Sequence, residues 1–555
     1  MTIPERRPFT PPHSHIAVTL LSEPPYTPPA SLLKPSSTMS SADSESWTPD
    51  RQIWLILAGQ SCCVFVVCLD ATIFSASLPT VAAALHADAV SAYWFITAYL
   101  LASAVVQPLT AALADVFGRR ATFFSSLVVF TAGTGLGGGG ILSVNLIILS
   151  DLLPMRQRAK YVGIVQLINS LATTFGSLVG AGLIKASWRW LFYVNFPFCG
   201  VGLAIVPFLL RYVSPKTTFY DQLGSIDWVG CAIFILGATS FLLGLSWGGN
   251  SYAWSSAATL VPLLAGVAAL CFCVYYERHA ARNPFLRLSV FGSRSAIAAY
   301  VCTILASMTL FVELYFVVLY LLTIKGYTPV VSSTVLLALA GSVVPVSGIT
   351  GALITKLGGY RWAVFCGWLV NTFALGALMV LDAETYLPGM IFLFVVAGIG
   401  QGLLFMAHQV VAQASCPAAD MAYASAMFSF CRSLGFCLGV ALGGTAFQNF
   451  LRRQLILNDL SPAIADNAEG YATILREMPD TWRKYAIADS YVYAFRYLFA
   501  TMAGISAVGL ALSFFVGEHS LDVKQDSSHK LRSKEMLSSP GSPTAMPEKR
   551  TSGFF

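Results

Sequence analysis

Long apolar stretches joined by short polar segments fill the chain from about residue 50 to about residue 520. Runs of spanning length fall at roughly 53–79, 92–114, 161–184, 190–212, 226–247, 256–276, 295–322, 332–354, 362–381, 387–411, 424–447 and 491–516. One more, at roughly 122–150, carries the cluster Gly137–Gly140. Each approaches or exceeds the ~20 residues that an α-helix needs to cross a bilayer. The pattern predicts an all-α polytopic membrane protein with about thirteen apolar runs.

Lys and Arg in the short joints set the orientation expected of such a chain. Arg119 and Arg120 belong in the cytosol, as do Arg156, Arg158 and Lys160. Arg211 with Lys216, then Arg278, Arg282, Arg287 and Arg294, then Lys356 with Arg361 fall on the same side. The C-terminal tail, with Lys524, Lys530, Arg532 and Lys534, is basic too. The long joint at roughly 448–490 holds Arg452, Arg453, Arg476, Arg483 and Lys484. The 122–150 run conflicts with this scheme, because basic clusters flank it. A single crossing puts them on opposite faces. A double crossing leaves legs of about 14 residues, roughly 21 Å, short of a ~30 Å core. The charges predict two short or broken helices.

Composition sharpens the class. Hydrophobic residues make up 56% of the 555 and charged residues 11%, against about 25% charged in soluble domains. The net charge of +6 lies in loops and tails and suits orientation better than nucleic-acid binding. The twelve cysteines are spread mostly through apolar runs, which argues for no disulfide framework and no metal site. No GxxxxGK[ST] loop is present, so ATP is not expected to drive the protein and no cofactor is expected. Residues 1–50 lack a signal-peptide core and are Pro/Ser/Thr-rich, as expected of a disordered cytosolic tail, with Met39 an alternative start.

Against this background the charged residues inside the spans stand out. Asp70 has no counter-charge within reach on its own helix. A carboxylate at that depth costs roughly 2.5–3.5 kcal/mol on insertion scales and is read first as functional, ahead of snorkelling to the interface. Glu313, in MTLFVELYFVVLY, is a second such carboxylate. Gln166, Asn169, Asn195 and His408 are candidate cavity groups or interhelical glue. Arg432 and Arg496 fall at or near predicted span ends, which favours interface anchoring.

Several motifs resemble one family. Leu69–Pro79 (LDATIFSASLP) resembles the first-span motif of the fourteen-span drug:proton antiporters of the major facilitator superfamily. Ala111–Arg120 (AALADVFGRR) resembles the superfamily's cytosolic loop motif, and Trp188–Pro197 (WRWLFYVNFP) the start of the subfamily's sixth span. Trp247–Trp254, Glu277–Leu286 and Phe430–Asn449 are similar to segments of fungal members. Two departures go with the likeness. Thr131–Gly140 (TAGTGLGGGG) keeps the fourth-span glycines without the preceding Arg, as if 15–20 residues were missing near 124–135. Phe175–Gly182 (FGSLVGAG) keeps Gly176, Gly180 and Gly182, with Ser177 where the antiporter motif has Pro.

The resemblance implies a disordered tail at 1–50, an N-terminal bundle at 51–212, linker spans at 213–293, a C-terminal bundle at 294–516 and a tail at 517–555. It implies proton-coupled efflux of small apolar or amphipathic compounds (a toxin, drug or fungal secondary metabolite) by alternating access. Asp70 and Glu313 are the candidate coupling groups; Asp115, Gly118, Arg119 and Arg120 would gate. The expected partners are a small-molecule substrate, protons and the lipid bilayer, for a monomer in the plasma or vacuolar membrane. Import, for example of a siderophore, and a transport-dead or mis-spliced product stay open as alternatives.

Overall fold

The structure, a computed structural model, describes residues 49–519 apart from 74–80, 82–88, 154, 185, 210–218, 250–251, 282, 418–419 and 467. The tails and most of the first-span motif beyond Ile73 lie outside them. Six long helices form a first bundle: α1 (Arg51–Ile73), α2 (Ala89–Val116), α3 (Arg119–Ala132), α4 (Thr134–Leu152), α5 (Met155–Leu183) and α6 (Asn195–Leu209). Two more, α7 (Trp228–Trp247) and α8 (Ala257–His279), pair with each other. Six form a second bundle: α9 (Arg294–Thr323), α10 (Pro329–Leu357), α11 (Arg361–Leu378), α12 (Leu387–Ala414), α13 (Met421–Leu457) and α14 (Trp482–Ser513). Among the described residues, eleven helices are long and apolar enough to cross a membrane. The protein is an all-α polytopic membrane protein.

Local chemistry fixes several helix ends. Ser293 Oγ accepts the Ala296 N–H at 3.0 Å to start α9, and Thr328 with Pro329 opens α10, an N-cap followed by a preset φ. Gly358 ends α10 with φ +72°, a left-handed turn that only glycine takes without strain. Gly118 at φ +86° makes the joint between α2 and α3 for the same reason.

The disputed 122–150 run is a hairpin. Its helices α3 and α4 break at Gly133, which is extended, and they pack antiparallel along Phe123, Leu127 and Phe130 against Ile141, Val144 and Ile148. A Cβ on Gly137 would overlap the Phe130 backbone, and one on Gly140 would overlap Ser126. The glycine cluster therefore lets the two legs lie close. Arg119, at the start of α3, pairs with Asp151, near the end of α4, at 2.9 Å. The two ends of the hairpin meet, and the two flanking basic clusters share one end of the molecule.

The bundles touch through α5 against α10, where Gly163 faces Gly348, and through α13 against α2 and α4. The α7–α8 pair rests on both bundles, since α7 packs on α2 and on α13.

Candidate transport cavity and gate

The basic end of the molecule is tied shut by ion pairs. Asp115 ends α2 and Arg119 opens α3; they pair across the Gly118 turn, and Arg119 Nε also reaches Asp151. Arg287, in the stretch between α8 and α9, donates to Asp115 at 3.2 Å and to Asp420 at 2.8 Å. Asp420 precedes α13, so this one guanidinium joins the first bundle to the second. Its guanidinium carbon lies over the Tyr423 ring, 4.2 Å from the centroid. Burial pulls the Arg287 pKa down, but Asp420, Tyr423 and Asp115 outweigh it and leave it raised. A second tie runs from Arg158 on α5 to Gln413 on α12 at 2.8 Å. Arg158 also donates to the carbonyls of Ser150 and Leu153, capping the end of α4. Three acids and three arginines thus converge from both bundles.

Beyond these ties lies a cavity of about 180 Å³ between the bundles. Cys68 and Thr72 of α1, Tyr99 of α2, Asn145 of α4, Phe311 of α9 and Arg432 of α13 line it. Gln107 on α2 donates to Ser433 on α13 at 2.7 Å and closes the wall toward the basic end. The lining is mostly apolar and aromatic, with a few convergent polar groups, the usual make-up of a small-molecule site.

Arg432 was expected at a span end and is not there. Helix α13 begins at Met421 and runs to Leu457, which puts Arg432 about 16 Å along it at 1.5 Å per residue. The Arg432 guanidinium lies over the Phe405 ring at 4.4 Å and the Phe436 ring at 5.4 Å. The helix starts only three residues ahead of the apolar run at 424–447, so Arg432 lies well inside the span by sequence position as well. Arg287, Asp420, Asp151 and Gln413 were also missed as partners in these ties. They come together from separate joints, and the spacing of none of them in the sequence signals that meeting.

The two span carboxylates sit behind the cavity wall. Asp70 is buried and accepts from Asn195 Nδ2 at 3.1 Å, so the start of α6 holds the far end of α1. Glu313 is buried on α9 and accepts from Gln401 Nε2 at 3.1 Å; the same amide reaches Thr309. Glu313 Oε1 has no hydrogen-bond partner among the described residues. His408 is buried beside the Trp368 ring, centroids 5.7 Å apart. With Gln401 and Arg432 it lines a separate water-sized space of about 20 Å³.

Other expected groups fall as follows. Arg120 is exposed and lies outside the ion-pair cluster. A Cβ on Gly176 would meet Leu69 O at 2.9 Å, so this glycine sets the approach of α5 to α1, whereas Gly182 has open space. Gly180 is buried within α5. Gln166 and Asn169 belong to α5, but their side chains lie outside the described set.

Two helical bundles around a shared cavity, tied together at one end by ion pairs, are the architecture of a membrane transporter. Comparison with known proteins agrees. The family profile described as Major Facilitator Superfamily matches residues 61–134 and 121–440, and the chain belongs to that family. It is 34% identical over 541 residues to an "MFS transporter L2" of Phoma sp., covering 93% of this chain and 90% of that protein. It is 30% identical over 515 residues to an "Efflux pump FUS6" of Gibberella moniliformis, covering 86% and 90%. Among solved structures, a bacterial homologue of the human lysosomal transporter Spinster, inward-facing and unoccupied, superposes with TM-score 0.52 at 14% identity, covering 84% of this chain and 98% of that one. That likeness bears on the fold alone.

Proposed function

We propose that the protein exports small apolar or amphipathic molecules, of the fungal secondary-metabolite or drug type, by proton-driven alternating access across the plasma or vacuolar membrane. The observation that carries this reading is the cavity shared by both bundles and shut off from the basic end by Asp115–Arg287–Asp420 and Arg158–Gln413. If the basic end is cytosolic, as its arginines favour, the structure resembles a release state whose cytosolic gate is closed. The efflux pump among the relatives supports the direction. Rocking of the bundles would break the Arg287 and Arg158 ties and open the cavity to the cytosol. Asp70 and Glu313 are the carboxyls that would take up and release protons as their helices move. One chain holds both bundles and the cavity, so a monomer suffices.

Everted vesicles holding the protein test this with Nile red, a neutral apolar probe. An acid-inside gradient should drive its accumulation, and a protonophore should abolish it. Equal uptake with and without the gradient would remove proton coupling from the account.

Two observations favour a second reading, loss of a segment near 124–135 with loss of transport. Helix α3 has 14 residues, about 21 Å of rise, and the two family matches overlap at 121–134. Sequencing the transcript across Phe124–Gly135 distinguishes an authentic short hairpin from a wrongly removed exon segment.

A further inference from the structure

Arg432 is a cation in an apolar cavity, and among the described residues no carboxylate shares the cavity wall with it. Its guanidinium carbon lies over the Phe405 and Phe436 rings, which hold the head group against the wall by cation–π contact and leave its N–H donors for a ligand. A guanidinium held this way keeps its charge, is weakly hydrated, and presents paired donors matched to a carboxylate. An intramembrane charge that faces a cavity without a protein partner marks a ligand path. The rest of the wall, including Phe311, Phe428 and Leu314, suits an apolar ring system.

We infer that the cavity binds an apolar, ring-bearing carboxylate, with Arg432 gripping the carboxylate through its N–H donors. The inference rests on the reading of this cavity as the transport site and adds its charge preference. The preference comes from pairing an otherwise unmatched cation. Arg432 is therefore a specificity residue as well as a binding residue. A cationic ligand of equal size would be repelled by the same group, and a neutral one would gain only the apolar contacts.

The test is equilibrium binding of naphthalene-2-carboxylate and of its methyl ester to the purified full chain in detergent. The two probes share a ring and differ in charge. The acid should bind at least about tenfold more tightly, the margin expected of a hydrogen bond to a charged group. In Arg432→Gln the ester should bind as before while the acid falls to the ester's level. Arg432→Lys, which keeps the charge and loses the fork, should retain part of the preference and shows that the site is folded. Equal binding of acid and ester by the unaltered protein overturns the inference while leaving export standing, since Nile red transport is measured separately. So does an acid preference that survives in Arg432→Gln. If neither probe binds, the carboxylate site and the cavity's role fall together.

Discussion

Arg119 shows what one side chain does at the closed end. It is buried between Asp115 and Asp151, so Arg119→Ala leaves two acids facing each other in a poorly solvated site. Removing one partner from a buried cluster costs about 3–5 kcal/mol. A thermal-shift measurement should therefore show a large loss of stability, whereas Arg120→Ala, at an exposed residue, should show almost none. Asp70 works differently. Its partner Asn195 donates to Oδ1, and Asp70→Asn keeps an oxygen there, so folding should persist. Gradient-driven Nile red accumulation should be lost while downhill equilibration continues. Normal accumulation with unchanged pH dependence would end the coupling role. Asp70 and Glu313 were legible in the sequence because a carboxylate inside an apolar run is conspicuous. That both lie behind the cavity wall was not, since helix rotation depends on packing partners such as Asn195 and Gln401.

At the scale of elements, the α3–α4 hairpin ties sequence to topology most closely. The flanking arginines demanded an even number of passes, and the structure meets that demand with a 14-residue and a 19-residue helix rather than two equal legs. The break falls at Gly133, ahead of the Gly137–Gly140 cluster. The cluster is used for contact instead, with Gly137 against the Phe130 backbone. Gly137→Val should then force α3 from α4 and destabilise the protein by roughly 1–3 kcal/mol, as overpacking does. The same change at Gly182, where space is open, should cost far less. Urea denaturation of the two variants side by side checks this; equal losses would mean that the hairpin contact is not tight. The helices themselves were legible from apolar run length. Their ends were less so, because polar residues continue a helix past the apolar run, as in α13.

On the scale of the whole molecule, the two bundles meet the demands of alternating access through contacts that differ in strength. Gly163 against Gly348 is a close backbone approach suited to a pivot, whereas Arg287 is a half-exposed clasp between Asp115 and Asp420. An exposed pair contributes about 0–1 kcal/mol, enough to bias a balanced equilibrium without locking it. Arg287→Ala should leave stability nearly unchanged and shift the resting population toward a cavity open at the basic end. The bundles were legible as a fold, but the clasp was not, because Asp115, Arg287 and Asp420 are far apart along the chain and are brought together only by the packing of the helices. Cys68 lines the cavity and reports the closure directly. With the other cysteines replaced, its reaction with a membrane-impermeant maleimide can be followed from each face of oriented vesicles. The unaltered protein should label slowly from the basic face, and Arg287→Ala several-fold faster from that face. Rapid labelling from the basic face with the clasp intact, or a rate unmoved by Arg287→Ala, would contradict this closure.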